Sequence, residues 1–166
     1  AWNTARVTDM SSMFAAASQF NGTVAAWNVS SVTDMSDMFL GASAFNQDVS
    51  AWDVSSVTDL SQTFAQASAF VSDLSAWNVA AVVTMKGMFE DAASFTSDLS
   101  SWNVSQVLDM SNMFDGATTF HSNLTGWNVN PGVDTTDIFR NATSFTGDLA
   151  TWPVNVTFPN QTPSPT

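Results

Sequence analysis

The chain of 166 residues has no cysteine, a single histidine and only three lysine or arginine residues. Without cysteine it can form neither a disulfide framework nor a thiolate site. Its net charge of −12 disfavours duplex nucleic acid and anionic membranes, because both are bound through clustered basic side chains. Its apolar runs are far too short for a transmembrane helix. These absences leave basic or neutral proteins, glycans and cations as partners.

Catalysis has little support in the composition. His121 stands alone, in a repeat position that elsewhere holds Asn, Val or Thr, so it is predicted to face solvent. The aspartates recur in every repeat, whereas a glycosidase-type carboxylate pair needs one special place. The sequence therefore predicts a protein that is not an enzyme.

Tryptophan recurs every 25 residues without interruption along the whole chain. The seven positions are Trp2, Trp27, Trp52, Trp77, Trp102, Trp127 and Trp152. A fixed period in the twenties indicates a solenoid, in which each repeat is one coil stacked on the next. We expect one solenoid over residues 1–158, with Trp152 opening a C-terminal cap, followed by a Pro/Thr/Ser-rich linker or tail over 159–166.

Two spacings alternate within each coil. Trp52 and Val54 lie two residues apart, which is typical of a strand with one buried face. Met35, Met38 and Phe39 follow at offsets of three and four, which favours a short helical turn with one apolar side. The predicted fold is therefore six to seven coils of mixed short parallel β-strands and short helical turns.

The repeat W-N-V-S-S-V-T-D-M-S-D-M-F, at residues 27–39, also carries a family resemblance. Its order of apolar residues resembles the strand signature of leucine-rich repeats, with Val32 where that signature has Asn. More specifically, it resembles the BspA-like family of leucine-rich-repeat relatives on microbial cell surfaces. The resemblance implies a leucine-rich-repeat-like, secreted or surface-displayed solenoid associated with adhesion and protein binding, without catalytic residues or cofactor.

Aspartates form two columns along the predicted stack. The first precedes each helical turn, where a carboxylate caps the helix N-terminus; the alternative is Ca²⁺ bridging between coils. Its members at the candidate Ca²⁺ positions are Asp34, Asp59, Asp109 and Asp134. The second column comprises Asp48, Asp73, Asp98 and Asp148.

A polar residue lies between the inward Trp and Val of each coil and is predicted to line the outer strand face. Stacked amides there can hydrogen-bond along the ladder, and the same face is a candidate binding surface. Its members are Asn28, Asp53, Asn78, Asn103 and Asn128.

Asn-x-Ser/Thr motifs are candidate glycan acceptors in a eukaryotic secretory route. The turn and tail positions Asn21, Asn141 and Asn160 are favoured, because Asn28 and Asn103 would be crowded on the ladder.

The functional prediction is a non-enzymatic extracellular or cell-surface module that binds a protein or glycan partner. Two alternatives stay open: a matrix or fibre subunit that assembles end to end, and an ice- or mineral-binding protein that uses a regular Ser/Thr array including Thr8, Thr33 and Thr58. Because Trp2, Phe14 and Phe20 have no polar cap before them, we expect the first coil either to be continued by further repeats or to dock against another copy of the chain.

Overall fold

The computed structural model describes residues 2–153 as a stack of 25-residue coils. Neighbouring coils are joined by backbone hydrogen bonds between residues 24 or 25 positions apart, such as Met35 N–H to Asp59 O at 3.0 Å and Thr58 N–H to Thr33 O at 2.8 Å. Within this range there is no helix and no strand longer than one bridging residue. The predicted solenoid of short strands and helical turns, of leucine-rich-repeat type, is therefore wrong, although the 25-residue period is real.

The sheet-like pairing consists of one parallel bridge between each pair of coils. The bridging residues are Asp9, Asp34, Asp59, Thr84, Asp109 and Asp134, each paired with the next. This position follows the Trp–Val segment where the ladder was predicted. In that segment Trp52 N–H bonds to Val49 O at 3.1 Å and Val57 N–H to Val54 O at 2.9 Å. Because these amides close tight turns within their own coil, they are not available to pair with a neighbouring strand.

The predicted helical segment is a run of turns with a left-handed residue at every fourth position. Two columns have positive φ, and the first lies at 51–58° and the second at 55–70°. The first column is Ser12, Asp37, Gln62, Gly87, Asn112 and Asp137. The second is Ala16, Gly41, Gln66, Asp91, Gly116 and Asn141. An α-helix needs consecutive residues near φ −63°, so this backbone cannot be helical.

The hydrogen bonds of this segment explain why its apolar residues have the spacing of an α-helix although it is not one. Met38 N–H bonds three residues back to Met35 O at 3.2 Å, while Phe39 N–H crosses to Thr63 O of the next coil at 2.9 Å. Alternate amides thus donate to a carbonyl of their own coil and to a carbonyl of the next coil. A turn that repeats every four residues still places Met35, Met38 and Phe39 inside, and all three are fully buried.

The core is built from columns of equivalent side chains, one from each coil. Two phenylalanines of one coil stack at 3.8 to 4.0 Å between ring centroids, for example Phe39 on Phe45. Each then stacks on its equivalent in the next coil at 5.5 to 6.0 Å. Trp77 closes this core and donates its indole N–H to Val49 O of the preceding coil at 3.0 Å. The tryptophans from Trp52 to Trp152 are buried and therefore link coils by packing and by hydrogen bonding.

The two ends of the described stack differ. Trp2 in the first coil is 70 % exposed, whereas Trp152 at the other end is 6 % exposed. Residues 154–158 of the predicted cap, the tail 159–166 and the sequon Asn160 lie outside the described residues. No helix of the described range could cross a membrane.

Candidate binding surface

Every coil turns at carboxylate or amide side chains that accept a hydrogen bond from the backbone two residues ahead. In the first aspartate column Asp34 Oδ1 accepts from Ser36 N–H, and Asp59 Oδ1 from Ser61 N–H, both at 2.8 Å. The same bond occurs at Asp9, Asp109 and Asp134. The capping role is thus present, but the capped element is a turn, so the prediction of helix N-caps is wrong.

The candidate Ca²⁺ positions Asp34, Asp59, Asp109 and Asp134 each have one oxygen engaged in this cap. Thr84 occupies the column between Asp59 and Asp109, and its hydroxyl lies 2.9 Å from the Ser61 hydroxyl. No group of three or more acidic, His or Cys side chains within residues 2–153 is arranged to hold a metal ion. Calcium binding stays a prediction, which a chelator-dependent Tm would support.

The second aspartate column is tied to a column of buried serines that sequence analysis missed. Ser97, 8 % exposed, accepts from Leu74 N–H at 2.8 Å and lies 3.2 Å from Asp73 Oδ1 of the preceding coil. Ser72 and Ser122 make the equivalent pair of bonds. The available signal was a Ser at the same repeat position in three successive coils, followed by Asp at Ser72 and Ser97 and by Asn at Ser122.

Hydrogen bonds also set the acidity of this column. The backbone and hydroxyl of Ser75, and then Ser97, stabilise the ionised form of Asp73 and lower its pKa. Ser100 and Ser122 lower the pKa of Asp98 in the same way. These carboxylates are consequently charged acceptors that hold adjacent coils together.

The predicted binding column is on the surface. Its members Asn28, Asp53, Asn78, Asn103 and Asn128 are all exposed. Asn28 Oδ1 accepts from Ser30 N–H at 3.0 Å, and Asp53 Oδ1 accepts from Ser55 N–H at 3.1 Å. The side-chain bonds of Asn28 and Asp53 run within their own coils, so the expected amide ladder between coils is replaced here by turn caps, and the column stays exposed. Asn130 takes over the cap in the sixth coil, bonding Gly132 N–H at 2.9 Å.

The two favoured sequons within the described range are exposed. Asn21 Oδ1 accepts from Asn46 N–H at 3.0 Å and from Gln47 Nε2 at 2.9 Å. Asn141 has φ +60° and donates from Nδ2 to Asp115 at 3.2 Å. Asn21 keeps its amide nitrogen outside these contacts, whereas Asn141 uses it in a link between coils.

One cluster of charged side chains lies on the face of the positive-φ columns. Asp115, 5 % exposed, accepts from Arg140 Nε at 2.9 Å and forms an ion pair with the same guanidinium. This pairing raises the pKa of Arg140. Burial, with Asp115 and Asp91 nearby, raises the pKa of Glu90. Arg140 and Asp115 lie 25 residues apart, in adjacent coils. The ion pair between them therefore links these two coils.

His121 is exposed, and its Nδ1 lies 2.8 Å from Thr119 O, so the predicted solvent-facing position is confirmed.

Taken together, the fold defines a class: repeat proteins in which irregular 25-residue coils share aromatic columns and present polar, turn-capping side chains at equivalent repeat positions. The model of one family matches residues 1–89 and again 71–159. The chain belongs to this family, described as "Mycoplasma protein of unknown function, DUF285". No curated protein and no solved structure matches the chain.

Proposed function

We propose that this chain is a non-enzymatic, extracellular or cell-surface binding module that mediates adhesion to a protein or glycan, and that the repeat is that of the BspA-like surface proteins. The residue pattern of the repeat, with its resemblance to the BspA-like family, supports this reading. The observation that carries it is the exposed column from Asn28 to Asn128, which presents one polar side chain per coil over a rigid aromatic core. Such repetition suits a partner that itself repeats or is extended.

The column can be altered without removing its turn caps. Asp53 occupies the same repeat position as Asn28 and caps its turn in the same way, at 3.1 Å against 3.0 Å. The triple variant Asn28→Asp, Asn78→Asp and Asn103→Asp should therefore keep the fold while it removes three amide donors and adds three negative charges.

The test measures binding of the purified chain to cells, a glycan array and matrix proteins. The triple variant should lose most of the binding. A matched control, Ser18→Asp, Ser43→Asp and Ser68→Asp, adds the same charge on another exposed column and should keep it. Equal loss in both variants would assign the effect to net charge, and a measured catalytic turnover would contradict the non-enzymatic proposal.

The ice- or mineral-binding alternative has weaker support. The hydroxyls of Thr33 and Thr58 donate to carbonyls of the preceding coil at 3.2 and 3.1 Å, so they are not free to order water outside. The threonine column is then interrupted by Val83 and Leu108. A thermal hysteresis assay at high protein concentration, with no effect expected, checks this alternative directly.

A further inference from the structure

The turn between the first and second coils contains Asn21 followed by Gly22, the one Asn-Gly pair in the sequence. Both residues are exposed. A glycine after asparagine lets its backbone nitrogen approach the preceding side-chain carbonyl, because glycine has no Cβ in the way and the freest backbone. This pair therefore brings together a backbone nucleophile and an electrophilic amide carbon.

The backbone amide of Gly22 is available for such an attack, since it donates no hydrogen bond within the described residues. The amide at the same repeat position is equally unengaged in coils that have a described neighbour on both sides, as at Gln47 and Ser72. The free amide is thus a property of this turn and does not depend on its place in the first coil.

The side-chain oxygen of Asn21 is held by two donors of the second coil. Asn21 Oδ1 accepts from Asn46 N–H at 3.0 Å and from Gln47 Nε2 at 2.9 Å. Attack on the side-chain carbon would place negative charge on this oxygen, and two converging donors are the arrangement of an oxyanion hole. The leaving nitrogen Nδ2 makes no hydrogen bond within the described residues, so it is free to depart.

We infer that Asn21 is a site of spontaneous deamidation, and that the second coil accelerates the reaction by stabilising its oxyanion. The Gly22 nitrogen loses its proton to solvent base and forms a bond to Asn21 Cγ. The Cγ–Nδ2 bond then breaks, and Nδ2 takes up a proton and leaves as ammonia. Water opens the cyclic imide at either carbonyl, which gives aspartate or isoaspartate. Water is the only co-reactant, and nothing is oxidised or reduced.

The second coil offers an internal comparison. Asn46 has the same repeat position and is also exposed. Its Oδ1 accepts from Val71 N–H at 3.1 Å, which reproduces one of the two donors at Asn21. However, the residue after Asn46 is Gln47, whose side chain obstructs the approach of its own backbone nitrogen. Reaction is therefore expected at Asn21 and not at Asn46.

The one Asp-Gly pair, which could form the same imide, shows the opposite condition. Gly116 N–H donates to Arg140 O at 2.8 Å, so the nucleophile is engaged. Asp115 is 5 % exposed, and its carboxylate is paired with the Arg140 guanidinium. The fold thus protects this pair while it exposes and activates Asn21.

Deamidation would compete with glycosylation. Asn21 begins the sequon Asn-Gly-Thr, and a glycan would be attached to the same Nδ2 that leaves as ammonia. The product also carries a new negative charge, and as isoaspartate it lengthens the main chain at the turn. This inference does not rest on the proposed adhesive function.

The experiment incubates the full, unglycosylated chain at physiological pH and temperature and follows each asparagine by peptide mapping and mass spectrometry. An isoaspartyl methyltransferase labels the isoaspartate product. We expect Asn21 to react well before Asn46. Gln47→Met removes the Nε2 donor at similar side-chain length, and it should slow the reaction at Asn21 by about 2–10-fold, which is the worth of one hydrogen bond at an exposed site.

Two controls separate this effect from the generic reactivity of an Asn-Gly pair. Gln106→Met makes the same substitution at an exposed glutamine of another coil and should leave the rate at Asn21 unchanged. In urea the coils separate, so Gln47→Met should then have no effect. The inference is wrong if Asn46 reacts as fast as Asn21 in the native chain. It is equally overturned if Gln47→Met does not slow the native reaction, or slows it to the same extent in urea.

Discussion

The first and fourth coils carry the same Trp, Met and Phe residues at the same repeat positions, yet they differ in burial. Met10 is buried in the first coil, but Phe14 and Phe20 are only half-buried, whereas Phe89 and Phe95 of the fourth coil are completely buried. The difference is the second neighbour, because each aromatic ring is covered by its own coil and by one ring on either side. Stability in this stack is therefore a property of interfaces between coils, as expected for repeat proteins.

The largest effect on stability is expected from truncating one aromatic ring, tested once in the fourth coil and once in the first. Phe89 stacks on Phe95 at 3.9 Å and between Phe64 and Phe114 at 5.9 and 5.7 Å. Phe89→Ala should lower the free energy of unfolding by about 3–5 kcal/mol. Phe14→Ala, with one neighbouring coil, should cost roughly 1–2 kcal/mol.

Urea denaturation measures both variants, and hydrogen exchange shows where the chain opens. Phe14→Ala should increase exchange in the first coil while the central coils stay protected, because end coils of a stack can open alone. Equal losses in the two variants would show that the stack unfolds as one unit and would break the comparison.

A smaller effect is expected from the indole hydrogen bonds. Trp102 Nε1 donates to Leu74 O at 3.0 Å from a side chain that is 3 % exposed. Trp102→Phe should cost about 0.5–1.5 kcal/mol, since Leu74 O loses the indole donor but keeps its hydrogen bond from the Trp77 N–H. Trp2 has no coil before it in the described residues, so Trp2→Phe should change stability by less than about 0.5 kcal/mol. Thermal unfolding of the two variants checks this, and a large loss for Trp2→Phe would contradict it.

The core could be predicted from the sequence, because the unbroken period places each Trp, Phe and Met on its equivalent. The secondary structure could not. Offsets of three and four at Met35, Met38 and Phe39 suit an α-helix and also a turn that repeats every four residues, and burial is the same in both. The residues Asp37 and Gly41 at the two left-handed positions tolerate positive φ, but Gln62 and Gln66 in the next coil hide that signal.

The candidate site was predictable only in part. The exposed column from Asn28 to Asn128 follows from alternation with the inward Trp and Val, and its exposure is confirmed. Its turn-capping role depends on backbone geometry that alternation does not specify. The buried Ser97 looked like one surface hydroxyl among many, because a polar residue inside the stack is revealed only by its bonds to Leu74 and Asp73.

The first and fourth coils also differ in charge at one repeat position, where the fourth coil has Glu90 and the first has Ala15. Burial and two neighbouring carboxylates raise the pKa of Glu90. A raised folded pKa means that the native state binds the proton more tightly than the unfolded state, so ionisation of Glu90 destabilises the fold at neutral pH. Glu90→Gln should thus increase Tm at pH 7 by about 1–3 °C.

That gain should vanish as the pH falls below the ordinary carboxyl pKa, where Glu90 is protonated in both states. Asp37→Asn is the control for net charge, since Asn is tolerated at its positive φ and it lies two coils away from the cluster. If Asp37→Asn gives the same gain at pH 7, the effect comes from the total charge of −12 rather than from the site.

The smallest expected effect concerns the serine links between coils. Asp98 accepts from Ser100 N–H at 3.0 Å in its own coil and from the Ser122 hydroxyl at 3.0 Å in the next, and these bonds lower its pKa. A depressed folded pKa contributes stability above the ordinary carboxyl pKa that is lost as the pH falls through the folded value. Ser122→Ala removes the hydrogen bond from the next coil, so the pKa of Asp98, followed by NMR, should rise toward its ordinary value.

Asp9 is the control, because it accepts its hydrogen bond from Ser11 of its own coil, so its lowered pKa should not change in this variant. A shift at Asp9 together with Asp98 would mean that Ser122→Ala loosens the whole stack, whereas a shift at Asp98 alone would show that adjacent coils tune each other's carboxylates one interface at a time.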